Sequence, residues 1–230
     1  MTDLKDFYDF ESSYYEKIYG SFIEDILFYK AISCPPPYLE LFAGTGRIIS
    51  KFPEGVGVEI NVKMLSRATN NFNRVLGDAR ILPLKRGFNT VIIGLNSLLL
   101  VPDAEKGEII SEARRVLNTG GYLVIDVLNG FSLKRGMYEI ANFNENGLRI
   151  KLRLRPKRIG QTYMLKYRYL ISDGEEKIVE KSITIYPITY DALREMVDQR
   201  GFRIEKVYGD YDLSPYDSSA EKLLVQARAV

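Results

Sequence analysis

A doubly wound α/β sheet of seven mostly parallel strands, with an antiparallel β insert after the fifth strand, is the fold class the sequence predicts. Three observations predict it. Between Tyr38 and Val127, Val- and Ile-rich runs alternate with stretches of helical spacing, giving five strands in an α/β rhythm. After Asn129-Gly130 the pattern becomes a strict apolar–basic alternation, Leu148-Arg149-Ile150-Lys151-Leu152-Arg153-Leu154-Arg155, the mark of a strand with one buried and one wet face. A helix and two more strands then close the chain.

Each element has a local reason. Phe7 to Ile32 places Tyr14, Tyr15, Ile18, Tyr19, Phe22, Ile23, Ile26 and Leu27 at mixed helical spacing, which reads as one or two helices. Pro35-Pro36-Pro37 stops the helix and forces an extended entry. Tyr38 to Ala43 is the first strand, and a short helix is expected from Arg47 to Phe52. Gly55 to Glu59 is a second strand, apolar as in a sheet covered on both faces. Val62 to Asn71 reads as helix, Arg74 to Asp78 as a third strand, Phe88 to Leu95 as a fourth. Asp103 to Leu117 carries helical spacing and stops at Gly120-Gly121. Tyr122 to Val127 is the fifth strand. The insert holds strands at Leu148 to Arg155, Tyr163 to Ile171 and Lys177 to Tyr186, with Ser172-Asp173-Gly174 as a turn. Tyr190 to Arg200 resumes helix, and Phe202 to Tyr208 and Lys222 to Ala229 are the last strands. Residues 1–130 and 187–230 thus form one domain, and 131–186 form an antiparallel insert or lid.

Composition bounds the chemistry. The 230 residues contain one cysteine and no histidine, and the formal net charge is +2. Ser-His-Asp and Cys-His catalysis, histidine metal sites and a cysteine-rich zinc site are excluded, and no metal is expected. So small a net charge gives no argument for nucleic acid or membrane as a partner, and neither is expected. Met1 to Asp6 lacks the apolar core of a signal peptide, and no apolar run approaches the ~20 residues of a membrane span. A cytoplasmic enzyme or binding protein is expected.

The most informative run is Leu39-Glu40-Leu41-Phe42-Ala43-Gly44-Thr45-Gly46-Arg47: a buried strand, a glycine turn and the start of a helix. Gly44 and Gly46 let a ligand rest on bare backbone, and a following helix would aim its free N–H groups at it; the alternative is a plain tight turn. A dinucleotide fingerprint needs a third glycine, and Arg47-Ile48-Ile49 supplies none. Instead Glu40 sits inside strand one, and Glu59 ends strand two 19 residues later. A carboxylate there can take both ribose hydroxyls. Asp78, ending strand three, can accept from an adenine amino group. Three acidic strand ends around a turn without lysine suit a cationic adenosine ligand better than a pyrophosphate.

With these residues in view, Leu39 to Arg47, Val56 to Leu65, Leu76 to Leu84, Phe88 to Leu100 and Ala113 to Asp126 resemble, in order, the motifs of the class I S-adenosylmethionine-dependent methyltransferases. The later Tyr186 to Phe202 and Tyr208 to Asp212 resemble the small-molecule branch of that family (methyltransferase type 11/25-like). The resemblance implies a Rossmann-like sheet, S-adenosyl-L-methionine as cofactor and a small-molecule methyl acceptor. It implies that Glu40, Leu41, Ala43, Gly44, Thr45, Gly46 and Arg47 hold the methionine end, and that Glu59 binds the ribose. By the same resemblance Asp78 and Ala79 read the adenine, Ile60 and Met64 pack its faces, and Leu95 and Asn96 lie beside the sulfonium. An N-terminal tyrosine would close the pocket; Tyr15 is placed with the cofactor, with Tyr19 and Tyr29 as further candidates. The departure from the family is Phe42, where glycine is usual.

The acceptor should sit over the ends of strands four and five, with Tyr19, Ser97, Asn129 and Tyr186 as candidates. No general base is assignable. Leu95-Asn96-Ser97-Leu98 stands where methylases of exocyclic base amines carry Asn/Asp-Pro-Pro-Tyr/Phe, which disfavours a DNA or RNA adenine methyltransferase. Two alternatives remain: an RNA or protein methyltransferase using the basic insert, and a non-catalytic adenosine-ligand binding protein. A homodimer stays open.

Overall fold

The computed structural model describes residues 2–32, 34–68, 72–130, 133 and 136–230, and the side chains of Thr2 and Asp3 are not among what it describes. Helices α1 (Thr2–Glu11), α2 (Tyr15–Tyr19) and α3 (Glu24–Ala31) precede β1 (Tyr38–Leu41). There follow β2 (Val56–Glu59), α4 (Val62–Ser66), β3 (Asn73–Leu76), β4 (Phe88–Ile93), α5 (Asp103–Val116) and β5 (Leu117–Leu128). The insert is β6 (Tyr138–Glu145), β7 (Leu148–Ile159), β8 (Thr162–Ser172) and β9 (Glu176–Ile185), and α6 (Tyr190–Asp198), β10 (Phe202–Tyr208) and β11 (Lys222–Ala229) complete the chain.

The main sheet runs β10-β11-β5-β4-β1-β2-β3, seven strands, and the insert forms a separate four-stranded sheet in the order β6-β7-β8-β9. Ladders among β1 to β5 are parallel; β11 is antiparallel to both β5 and β10. The expected doubly wound sheet and its antiparallel insert are therefore both present. β1 is flanked by β2 on one side and β4 on the other, so the strand order reverses there and opens the crevice in which α/β sheets take ligands. Leu39, Leu41, Val91, Ile93, Leu123 and Ile125 are fully buried between the helical layers, as the apolar runs require.

Some expectations are corrected. Arg47 to Phe52 is not a helix: only a three-residue 3-10 turn, Ile49–Lys51, forms. Pro53 drives Phe52 to extended angles (φ −118°, ψ 137°), leaving too few residues after Gly46 to nucleate a helix. The glycine turn therefore works through its backbone and flanking side chains, not a helix dipole. The N-terminal segment holds three helices, because Ser12-Ser13 and Gly20 break the pattern. β5 starts at Leu117 rather than Tyr122, its ladder with β4 slipping between Phe88 and Thr90. The strand β6 was not expected: Glu139, Asn142 and Asn144 are weak strand formers, and a register shift between Glu139 and Ala141 breaks the alternation. α4 covers Val62–Ser66, capped by Asn61, whose side chain accepts from Lys63 N and Met64 N; residues 69–71 of the helix expected to Asn71 lie outside the described residues.

α1 joins the two sheets. On one side Asp9 Oδ1 accepts from Asn61 Nδ2 at 2.9 Å. On the other, Phe7 packs on Tyr167 (ring centroids 4.7 Å) and Phe10 on Tyr169 (4.9 Å, edge-on). Among the described residues no helix is long and apolar enough to cross a membrane.

Candidate functional site

The glycine turn leaves β1 at the switch point. Gly44 and Gly46 have φ of +57° and +80°, the left-handed region that glycine enters without penalty. A Cβ at Gly46 would lie 2.0 Å from the Phe72 ring, and one at Gly44 3.1 Å from Met64 Cε. Packing and backbone angle both oppose a side chain at Gly46, and the backbone angle opposes one at Gly44. Phe42 also lies at positive φ, 60°. The glycine usual at this position is explained by that angle, and Phe42 holds it at a cost of about 1–2 kcal/mol, with its ring packed against the main core. Phe42→Gly is expected to be more stable than Phe42→Ala by about 1 kcal/mol, the reverse of the ordinary order of these residues. Thermal melting of the two variants checks this.

Two buried carboxylates flank the turn. Glu59, at the end of β2, is 8% exposed. Its Oε2 accepts from Gly44 N at 2.8 Å and its Oε1 from Asn61 N at 2.7 Å. Burial raises its pKa, against the pull of those N–H groups. Glu40, inside β1, accepts from Ile49 N at 2.9 Å and fixes the 3-10 turn. Burial pushes Glu40 up to about 8, opposed by the Ile49 N–H and the Arg47 charge.

The Glu40 shift carries a sign. Its folded pKa lies above the ordinary value of 4.5, so the native state binds the extra proton between the two. Its contribution to stability is complete below about 4.5 and is lost as pH rises through about 8. Glu40→Gln should flatten the fall of unfolding free energy over that window by up to about 1.4 kcal/mol per pH unit. Urea unfolding at a series of pH values measures it.

The N-terminal helices cover the turn. Arg47 and Asp25 form a paired, buried salt bridge, 4% and 0% exposed. Arg47 Nη1 also donates to Phe22 O at 2.6 Å, and its guanidinium lies over the Phe22 ring. Burial lowers the Arg47 pKa, but hydrogen bonds and charge from Asp25 more than offset it. Thr45 Oγ1 donates to Glu16 Oε1 of α2. Tyr15 packs on Tyr19 with tilted rings, centroids 4.8 Å apart, and lies within electrostatic reach of Arg47 and Glu40. Among the described residues one buried side-chain polar atom has no hydrogen bond, Arg47 Nε.

The far wall is built on β4 and β5. Leu95 and Asn96 have φ of 47° and 64°, a tight turn at the end of β4. Asn96 N donates to Asp126 O at 2.9 Å, and Asn96 Oδ1 accepts from Leu128 N at 2.6 Å. Asp126, 1% exposed, accepts at Oδ2 from Tyr29 OH (2.6 Å), Tyr211 OH (2.8 Å) and Leu95 N (3.2 Å). Burial raises its pKa, opposed by the two tyrosine hydroxyls. Asp126 thus ties α3 and the C-terminal loop to the β4 turn.

The structure brings Glu40, Leu41, Ala43, Gly44, Thr45, Gly46, Arg47, Glu59, Met64 and Tyr15 around one turn. Ile60 is 51% exposed beside it, while Met64 is 2% exposed beneath Gly44. Asp78 follows β3, its carboxylate gripped by Arg80 (Nη2 to Oδ2 2.6 Å), which also pairs with Glu105 at 2.8 Å. Arg80 hydrogen bonds lower the Asp78 pKa. The neighbouring Ala79 is buried. Ser97 opens a 3-10 turn beside Asn96. Tyr186 is tied down by backbone: its N donates to Leu99 O at 2.7 Å, and its carbonyl accepts from the buried Lys106 at 2.7 Å. Asn129 is occupied at both ends, by Ser218 O and Ala220 O through Nδ2 and by Tyr216 OH through Oδ1; it braces the 214–220 loop. The sequence reading missed Glu11, Glu16, Asp25, Asp126 and Tyr211. Asp126 had a signal, an acid inside the apolar run Tyr122 to Val127; Asp25 and Glu11 had the weaker one of acids among aromatic residues.

The chain's sequence and fold are similar to those of known proteins. A family model, the methyltransferase domain, matches residues 39–125, from β1 through β5. The uncharacterised protein MJ1252 of Methanocaldococcus jannaschii is 24% identical over 213 residues, 90% of this chain and 78% of that one. The CcbJ methyltransferase from Streptomyces caelestis superposes with a TM-score of 0.74 at 24% identity, over 90% of this chain and 88% of that chain. CalS10 with bound S-adenosylmethionine, an amino pentose methyltransferase from Micromonospora echinaspora, superposes with a TM-score of 0.72 at 18% identity, over 90% and 89% of the two chains. Residues 39–125 thus resemble a methyltransferase domain, and the chain shares the fold of S-adenosylmethionine-dependent methyltransferases.

Proposed function

We propose that the protein methylates a small molecule at a nitrogen or oxygen atom. The observation that carries this is the cover over the turn: Asp25 on Arg47 and Glu16 on Thr45 close α2 and α3 down on the backbone that faces the cofactor. A site shielded in this way suits a small acceptor better than a polymer.

The chain's donors and acceptors fit the cofactor. Glu59 offers buried carboxylate oxygens to a ribose diol, and the orphaned Arg47 Nε–H calls for an acceptor such as the cofactor's carboxylate. Asp78 reaches an adenine amino group while its other lone pairs serve Arg80. When bound, the cofactor supplies an electrophilic methyl group on a sulfonium with a good leaving group. The protein's task is then positioning. The Leu95–Asn96 turn, held by Asp126, sets one wall, and Tyr15 with the N-terminal helices excludes water from the other. Holding the acceptor in line and close is worth up to ~7–11 kcal/mol.

A second reading, methylation of RNA or protein, rests on the basic outer face of the insert. Arg155, Lys157 and Lys166 line a shallow hollow there, on the sheet face opposite the one that packs on α1. Methyl-labelled cofactor incubated with small amines, total RNA and protein extract separates the two. Label in the small-molecule fraction is expected. Label in RNA, with RNA binding lost on charge reversal of Arg149, Arg153 and Arg155, would favour the second reading.

A further inference from the structure

Glu11 ends α1 and is 2% exposed. Among the described residues no lysine or arginine pairs with it. Its partners are tyrosines: Tyr169 OH donates to Oε1 at 3.3 Å, and the Tyr19 hydroxyl also bonds it. Tyr8 of its own helix, Tyr15 of α2 and Tyr167 of β8 stand within electrostatic reach. A buried carboxylate without a cation is costly, and packing alone does not call for one here. The tyrosine hydroxyl oxygens beside it can also accept from an ammonium N–H.

The cluster borders the cofactor cleft. Tyr8 lies within electrostatic reach of both Glu11 and Glu59, and Tyr15 of Glu11, Glu40 and Arg47. Two residues before Glu11 on the same helix, Asp9 bonds Asn61 beside Glu59. A group held at Glu11 is therefore next to the cleft and under the insert sheet.

We infer that Glu11 and the tyrosine hydroxyls around it form the acceptor subsite, and that the acceptor is a small-molecule amine. This rests on the methyltransferase reading and narrows its acceptor from nitrogen or oxygen to nitrogen. The amine arrives as an ammonium and gives one proton to a Glu11 carboxylate oxygen. The freed lone pair on nitrogen then forms the N–CH3 bond while the S–CH3 bond breaks, the bonding pair staying on sulfur. The methylated ammonium leaves, and Glu11 keeps its proton until the next ammonium to enter displaces it to water. Burial pushes Glu11 up to about 8, against the Tyr169 and Tyr19 hydroxyls, close to the range in which an amine exchanges protons readily.

The inference has a calorimetric signature. Near pH 7 the empty site holds protonated Glu11, so taking up an ammonium releases about one proton. Benzylamine and cyclohexylamine, with benzyl alcohol and cyclohexanol as neutral matches, are titrated into protein saturated with S-adenosylhomocysteine, in two buffers of different ionisation heat. The amines should bind with about one proton released, and the alcohols roughly tenfold or more weaker. Glu11→Gln should lose roughly tenfold or more in amine affinity together with the proton release, while keeping its affinity for S-adenosylhomocysteine and its melting temperature. Equal binding of amines and alcohols, amine uptake without proton release, an unchanged Glu11→Gln, or no amine uptake by the unmodified protein would each overturn the subsite. Failure to bind S-adenosylhomocysteine would instead remove the methyltransferase reading; the amine titration on cofactor-free protein would still decide Glu11.

Discussion

Asp25→Ala is expected to destabilise the protein by about 3–5 kcal/mol, because it strands the Arg47 guanidinium in the interior without its counter-charge. Arg47 is 4% exposed, donates hydrogen bonds from both Nη atoms to the Asp25 carboxylate and is balanced by its charge. For a chain of this size the loss corresponds to roughly 10 °C in melting temperature. The same substitution releases α3 from the glycine turn, so amide exchange of Glu24 to Ala31 and of Gly44 to Ile49 should accelerate together. A double variant, Asp25→Ala with Arg47→Met, removes both charges and should recover much of the loss. Melting curves of the three proteins decide it; an Asp25→Ala curve that overlays the parent would mean that the pair does not hold the cover down.

Glu59→Ala is the second large effect, and it should appear chiefly in binding. Two charge-assisted bonds to a ribose diol are together worth about 3 kcal/mol or more, so affinity for S-adenosylhomocysteine should fall about a hundredfold. Stability should fall as well, since Gly44 N and Asn61 N both lose their acceptor and a stranded buried donor costs about 1–3 kcal/mol. Glu40→Ala serves as the control: Glu40 bonds Ile49 N, so its removal should loosen the 3-10 turn more than the ribose end. A Glu59→Ala protein that binds S-adenosylhomocysteine like the parent would contradict the ribose assignment.

Much of the fold was legible because burial on both faces leaves a plain record. β1, β2 and β4 read as continuous apolar runs, and β7 and β8 as alternations, and each pattern landed on its sheet. What went astray did so where a local rule was overridden. Pro53 truncated the expected helix after the turn, and a bulge at Glu139 hid β6 from any period-two search. Glu40, Glu59 and the two glycines were legible because their spacing is tied to strand ends. The cover was not: Asp25–Arg47 and Glu16–Thr45 join residues 22 and 29 positions apart, and Asp126 collects hydroxyls from positions 29 and 211. Periodicity reports which face of an element is buried, and it is silent on which distant polar group meets it there. Phe42 is the converse case. The sequence showed only an odd residue in a glycine position, and its φ of 60° gives the reason that glycine is usual.

The central claim is that the acidic strand ends around the Gly44–Gly46 turn form a site for a sulfonium-bearing adenosine ligand. Isothermal calorimetry with S-adenosylmethionine, S-adenosylhomocysteine and NAD tests it most directly. Saturable binding of both sulfur ligands, weakened about a hundredfold by Glu59→Ala, with no uptake of NAD, is the predicted result. Binding of NAD but of neither sulfur ligand would contradict it.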